Sequence, residues 1–234
     1  MRRAIWSLVC VGLLGSSLAW ADESVEKVQH RLQSASEVLQ ELMSAPDKGI
    51  PEEVIKSAKC IAVIPHEING GLAFGARYGK GVATCRTANG DWSAPGFFTI
   101  TGGSWGAQIG IEGVDNVLMI MNQKGMDRLL SSKFTIGADA SAAAGPIGRH
   151  AAAGTDWKLN TEILSYSRSK GLFAGVALNG AVVRPDRNAM QAFYAGKATM
   201  KDVLLGRIPP PPAARTFLAA VRDAEMQSRK QARE

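Results

Sequence analysis

Aromatic residues make up only 6% of this 234-residue chain, and histidine and cysteine each occur 3 times. Each scarcity excludes something. His30, His66 and His150 stand far apart and the cysteines are single, so no metal-ligand spacing exists. No apolar run beyond the N-terminus approaches the ~20 residues that a membrane-spanning helix requires. The net charge of +6 comes from Lys and Arg spread along the chain. Nucleic-acid binding needs a concentrated basic face, which is missing. Phosphate-loop and Rossmann fingerprints fail as well, and no cofactor motif is found. Gly79-Lys80 ends like a phosphate loop, but Phe74 and Gly81 stand where Gly and Ser or Thr belong. What the chain does have is 46% hydrophobic and 21% charged residues, the composition of a folded domain with one core. It also has 25 glycines, of which 20 lie between Gly70 and Gly180.

The N-terminus reads as an export signal. Arg2-Arg3 precede an apolar run from Ala4 to Leu14, and Ala19-Trp20-Ala21 is an A-x-A cleavage site. Cleavage after Ala21 predicts a periplasmic protein and lowers the net charge from +6 to +4 by removing two arginines. Cys10 leaves with the signal. The remaining pair, Cys60 and Cys85, is either a disulfide, as an oxidising compartment favours, or two buried thiols.

Residues 24–44 place Val28, Leu32, Ala35, Leu39 and Leu42 at helical spacing, and Pro51-Glu52-Glu53 opens a second short helix. Short strands follow over 60–64, 97–100, 107–111 and 117–121, 72–85 is a Gly-punctuated strand or hairpin, and Asn89-Gly90 is a turn. A helix is expected over 124–130, and further strands over 163–166 and 172–183. Helical pieces at 187–194 and 200–205 lead to a polyproline stop at Pro209–Pro212 and a last helix over 213–233. The Ala/Gly stretch 137–156 cannot build a core alone and must lie against something that demands close approach. The predicted fold is α+β: an antiparallel, strongly twisted, Gly-rich sheet of barrel-like form, flanked by N-terminal and C-terminal helices. Residues 1–21 are the signal, 22–206 one domain, and 207–234 the Pro-rich stop with a basic helix carrying Arg215, Arg222 and Arg229.

Gly102-Gly103-Ser104-Trp105-Gly106 matches the G-x-S-x-G of hydrolases, and Asp115 or Asp139 with His150 follow in hydrolase order. An elbow needs a strand before the serine and a helix after it, whereas the pattern here continues as strand. An exported serine hydrolase using Ser104 and His150 is therefore the alternative reading, and a non-enzymatic protein the leading one.

The ordered series Gly70-Gly71-Leu72-Ala73-Phe74-Gly75-Ala76-Arg77-Tyr78-Gly79-Lys80-Gly81, Trp92-Ser93-Ala94-Pro95, Gly102–Gly110, Gly137–Ala140, Ala144–Arg149 and Tyr166–Gly175 resembles the SYLF domain. That resemblance covers most of the chain after the signal. It implies a membrane- or phosphoinositide-binding module, with actin binding in some eukaryotic members. An exported protein meets neither, so the expected ligand is a phospholipid or other anionic lipid at a membrane surface.

Anionic headgroups are held by Arg or Lys beside backbone N–H groups of glycine-rich turns. The candidate headgroup-binding residues are therefore Arg77, Lys80, Arg149, Arg168 and Lys170, converging on one rim with Trp105 as an apolar wall, helped by Trp92 and Phe173. The plainer alternative is ordinary surface charge beside glycines that serve sheet packing. Homo-oligomerisation through a sheet edge is a third possibility, with no nucleic-acid, metal or cofactor partner expected.

Overall fold

The computed structural model describes residues 23–44, 49–72, 74–105, 110–147, 161–169 and 172–231. Residues 1–21, read above as an export signal, lie outside them, as do His150, Arg149 and Lys170. The chain starts with helix α1 (Val25–Ser44) and the short α2 (Glu52–Ser57). Four long strands follow: β1 (Cys60–Leu72), β2 (Phe74–Cys85), β3 (Gly96–Trp105) and β4 (Gly110–Ile120). After α3 (Gln123–Leu129) come β5 (Phe134–Thr135), β6 (Ala142–Ala144), β7 (Ile163–Ser169), β8 (Leu172–Gly175) and β9 (Val182–Pro185). Helices α4 (Arg187–Tyr194), α5 (Met200–Leu204) and α6 (Arg215–Gln231) complete it.

The nine strands form one sheet in the order β5-β9-β3-β2-β1-β4-β7-β6, with β8 paired to β7, and the sheet curls into a half-barrel. All pairs are antiparallel except β6 with β7. The α+β fold with helices at both ends is thus as expected, with this one parallel pair added. Strand β4 runs unbroken from Gly110 to Ile120, taking in most of the predicted strand 117–121 and the described end of 107–111, while 172–183 divides into β8 and β9. Gly113 does not break β4, because it pairs with Ile68 inside the ladder. Read as punctuation, Gly70, Gly75, Gly79 and Gly81 instead sit inside ladders, where the missing side chain lets another group approach. A Cβ on Gly81 would fall 2.7 Å from Phe98 Cε1, so the Phe98 ring lies directly on the bare backbone of β2. In the Ala/Gly stretch Gly145 lies against the Tyr166 ring in the same way.

One sheet face is covered by α1, whose buried Val28, Leu32, Ala35, Leu39 and Leu42 form the predicted stripe. Helix α6 packs on α1 with Phe217, Leu218, Val221 and Ala224 buried, so the C-terminal helix shares the same core. Its Arg215, Arg222 and Arg229 point to solvent. Asp186 caps α4 by accepting from the Ala189 N–H at 3.1 Å. Cys60 and Cys85 are directly opposed on β1 and β2, are joined by a disulfide, and are fully buried.

Candidate functional site

The site starts from an irregularity in β1. Val63 pairs with Val82 and Ile68 with Tyr78, so β1 spends one more residue than β2 over the same span. The count against β4 is also one too many, between Ile64–Asn116 and Glu67–Val114. This is a β-bulge, and its residue His66 has φ of +52°. Left-handed backbone is uncommon for any residue with a Cβ, though histidine tolerates it better than most. The His66 N–H, lost to the ladder, donates to Asp115 Oδ1 at 2.9 Å. The sequence suggested only a strand end after Pro65.

Across the bulge lies the N-terminal half of α1. Ser24 caps it, its Oγ accepting from the Lys27 N–H at 3.3 Å. Lys27, His30, Arg31 and Ser34 then share one helix face and line a cavity of about 380 Å³. Pro65 and His66 close it from the bulge, Lys80 from β2, and Glu23 from the residue before the cap. Arg31 is 5% exposed; its Nη2 donates to Glu23 Oε1 at 2.6 Å and its Nη1 to Asp186 Oδ2 at 3.1 Å. Its guanidinium carbon also lies 5.6 Å from the Phe97 ring centroid. The second Glu23 oxygen takes the ammonium of Lys80. Beyond the bulge, Arg168 on β7 donates from Nε and Nη2 to Asp115 Oδ2 at 2.9 and 2.6 Å, and it also pairs with Glu41 of α1.

Toward the β1–β2 tip the same face changes character. Directly opposed residues on antiparallel strands share a face. The register therefore defines a row of Thr101, Tyr78, Ile68 and Gly113, and beyond it a row of Gly103, Ala76 and Gly70. Neither row contains an acidic or basic residue. Ile68 and Tyr78, direct partners, are 51% and 47% exposed, which is unusual for large side chains on a sheet. Leu72, Phe74 and Trp105 follow in register at the tip. The row on the other side of the bulge holds Lys80, Asp115 and Arg168, so uncharged and charged zones meet along His66.

The opposite face carries a buried polar group. Glu67, fully buried, accepts from Asn116 Nδ2 at 3.1 Å and faces Arg77 Nη1 at 3.7 Å. Burial raises the Glu67 carboxyl above its ordinary range, with Arg77 and the hydrogen bonds from Asn116 and Asn69 opposing. Glu67 Oε1, Asn69 Oδ1, Asn116 Oδ1 and the Arg77 Nε and Nη1 lack hydrogen-bond partners.

The residues expected to converge are thus distributed. Lys80 and Arg168 lie on the helix-covered face, each tied to carboxylates, while Arg77 lies on the other face against Glu67. Trp105 occupies the last position of β3, opposite Phe74. Trp92 is buried under Arg86, 4.3 Å from guanidinium to ring, and its Nε1–H donates to Glu225 Oε2 at 3.4 Å, fastening α6. Sequence reasoning missed Glu23, Lys27, His30, Arg31 and His66 as a group. The i, i+3, i+4 spacing of Lys27, His30 and Arg31 was a readable signal; the bulge was not. A larger cavity of about 540 Å³ lies among α3, α4 and α5, floored by Leu129, Met190 and Met200, with none of the predicted residues in its lining. Ser104 sits within β3 opposite Gly75 and the chain returns as another strand, so the strand-to-helix elbow of a hydrolase does not form there. Asp115 is engaged by His66 and Arg168, and Asp139 by the Thr135 N–H.

These features define a class: an α+β half-barrel with exposed Ile68 and Tyr78 at one sheet end beside a cavity lined by Lys27, Arg31 and Lys80. The chain belongs to the Ysc84/SYLF family. The family model described as "Las17-binding protein actin regulator" matches residues 101–224. LAS seventeen-binding protein 3 of Saccharomyces cerevisiae is 38% identical over 170 residues, 71% of this chain and 37% of that protein. Protein YSC84 of the same yeast is 38% identical over 176 residues, again 37% of its length. The human SH3 domain-containing YSC84-like protein 1 is 33% identical over 172 residues, 73% of this chain and 50% of that protein. The chain thus matches half or less of each relative; the first of them is named as a binding protein, and the family model is described as an actin regulator.

Proposed function

We propose that this protein is an exported, non-enzymatic membrane-binding protein of the cell envelope, which recognises anionic phospholipid surfaces. The observation that carries this reading is the boundary along His66: two uncharged rows with Ile68 and Tyr78 exposed, bordered by the cavity holding Lys27, Arg31 and Lys80. Apolar and aromatic side chains beside cations are the pattern of a surface that rests in the headgroup layer. The sheet edges limit depth. Among the described residues β3 is unpaired on its outer side beyond Thr101, and β4 before Asp115, and open edges do not enter hydrocarbon. The face therefore lies on the interface and does not cross it; among the described residues no helix is long and apolar enough to span a membrane. Export rests on the N-terminal signal and is supported by the Cys60–Cys85 disulfide, which belongs to oxidising compartments.

Co-sedimentation of the mature protein with phosphatidylglycerol and phosphatidylcholine vesicles over a salt series tests the reading. Anionic vesicles should bind, and salt should weaken binding. The variant Ile68→Ser/Tyr78→Ser removes about 1 kcal/mol of transferable apolar surface per residue, so binding should fall about thirtyfold with unchanged stability. Failure to bind any vesicle, or equal binding by the variant, overturns the reading. N-terminal sequencing of envelope-derived protein should begin at Asp22.

A further inference from the structure

The cavity between α1 and the bulge is lined by three permanent cations, Lys27, Arg31 and Lys80, by His30 and His66, and by one carboxylate, Glu23. The two oxygens of that carboxylate are divided between Arg31 Nη2 and the Lys80 ammonium. A planar guanidinium and a flexible ammonium converging on two oxygens is also how a phosphate ester is held. We infer that the cavity is a phosphate-ester site and that Glu23 occupies it as an internal counter-anion, which the ligand must displace. This rests on the membrane-binding reading above, and it adds where the headgroup sits and what guards it.

Three observations support displacement. Glu23 lies outside the helix: Ser24 caps α1, and the first turn is closed by Val28 N–H donating to the Ser24 carbonyl at 3.2 Å. Turning Glu23 away therefore breaks no helical hydrogen bond. Arg31 does not lose its anchor when Glu23 leaves, because Asp186 still accepts from its Nη1 and is itself held by the α4 cap. A phosphate that replaces Glu23 restores the charge balance of the buried guanidinium, so the exchange swaps one anion for another without leaving a buried cation unpaired. Among the described residues, Asp115 is committed to His66 and Arg168, and Asp186 to Arg31 and the α4 N-terminus. The α1 N-terminus adds its dipole in the same sense. His66 and Lys80 of the lining stand two residues along their strands from Ile68 and Tyr78, so a phospholipid whose chains lie along that pair presents its phosphate at the cavity.

The probes are inorganic phosphate and dihexanoylphosphatidylglycerol below its micellar concentration, titrated into the mature protein while side-chain NMR signals of His30, His66 and Lys80 are followed. Glu23→Gln, which loses the competing charge and keeps a hydrogen-bonding group, should bind about tenfold more tightly than the parent. Lys80→Met in the Glu23→Gln background should remove the gain. Saturation by both probes identifies the phosphate group alone as the ligand, and saturation by the lipid only identifies the headgroup with its glycerol; both support the site. In the parent protein, saturable shifts at His30 and His66 are expected as well, which keeps the test valid if Glu23→Gln folds poorly. Unchanged or weaker binding by a folded Glu23→Gln, or no shift at either histidine, overturns the inference. If vesicle binding still depends on Ile68 and Tyr78 in that case, the membrane reading survives alone. If the probes bind at the cavity but no vesicle does, the phosphate site survives and the membrane reading fails.

Discussion

The Cys60–Cys85 disulfide offers the most quantitative test of how this sheet is held. The two cysteines are 25 residues apart in sequence and close a loop that contains the entire β1–β2 hairpin. Loop-closure entropy for a ring of that size is about 12 cal/mol/K, or about 3.5 kcal/mol at 25 °C. Residual hairpin structure in the unfolded chain reduces that figure, so a loss of about 3 kcal/mol is expected on reduction. Reduction keeps both sulfurs in the core, which makes the reduced parent a cleaner comparison than substitution; a Cys60→Ala/Cys85→Ala variant adds a cavity at two fully buried positions and should be weaker still. Equilibrium urea unfolding of the oxidised and reduced protein should show the midpoint falling by about 1–2 M. The native fold should persist when reduced, because the opposed cysteines stand in a ladder that β4 also pairs through Cys60 and Ile120. A difference below about 1 kcal/mol would refute the reasoning, since the loop would then be constrained by something other than the cross-link.

Further predictions concern packing and pH. Gly81→Ala should cost about 2–3 kcal/mol in thermal or urea unfolding, because its Cβ meets the Phe98 ring, whereas Gly113→Ala, with open space around it, should be neutral or stabilise by about 0.5 kcal/mol. Equal effects at both positions would remove the argument that Gly81 serves close approach. Glu67 binds its proton more tightly in the folded protein than in the unfolded chain, so its contribution opposes folding at neutral pH and becomes more favourable as pH falls through the raised value toward the ordinary one. Glu67→Gln should therefore stabilise the protein at pH 7, with the advantage shrinking on acidification; an advantage that grows toward acid would contradict the burial argument.

Much of the fold was legible because it rests on local patterns. The stripe of α1, the α3, α4 and α5 segments, the polyproline stop and the final helix all follow from spacing and caps. The family was legible because its motifs carry glycines at fixed places. The candidate site was legible only in pieces. Lys80 and Arg168 stood out as cations near glycines, but their partners Glu23 and Glu41 are set by the crossing of α1 over the sheet and Asp115 by the β4–β7 register, both tertiary facts. Arg77 seemed a neighbour of Lys80, yet a separation of three residues on a strand puts the two on opposite faces. Strict alternation from Ile61 onward would also have sent Ile68 inward with Ala62 and Ile64, and only the extra residue at the bulge turns it out.

That extra residue acts as a parity switch. Deleting one position at Pro65-His66 would leave the strand before it untouched and invert everything after it. Ile68 would point into the half-barrel, and Glu67 and Asn69 toward the surface where α1 ends. The polarity of the exposed sheet end is thus encoded by a count of residues and not by their identity. Substitutions there should be tolerated far better than insertions or deletions, and alignments of this segment are informative chiefly for their gaps.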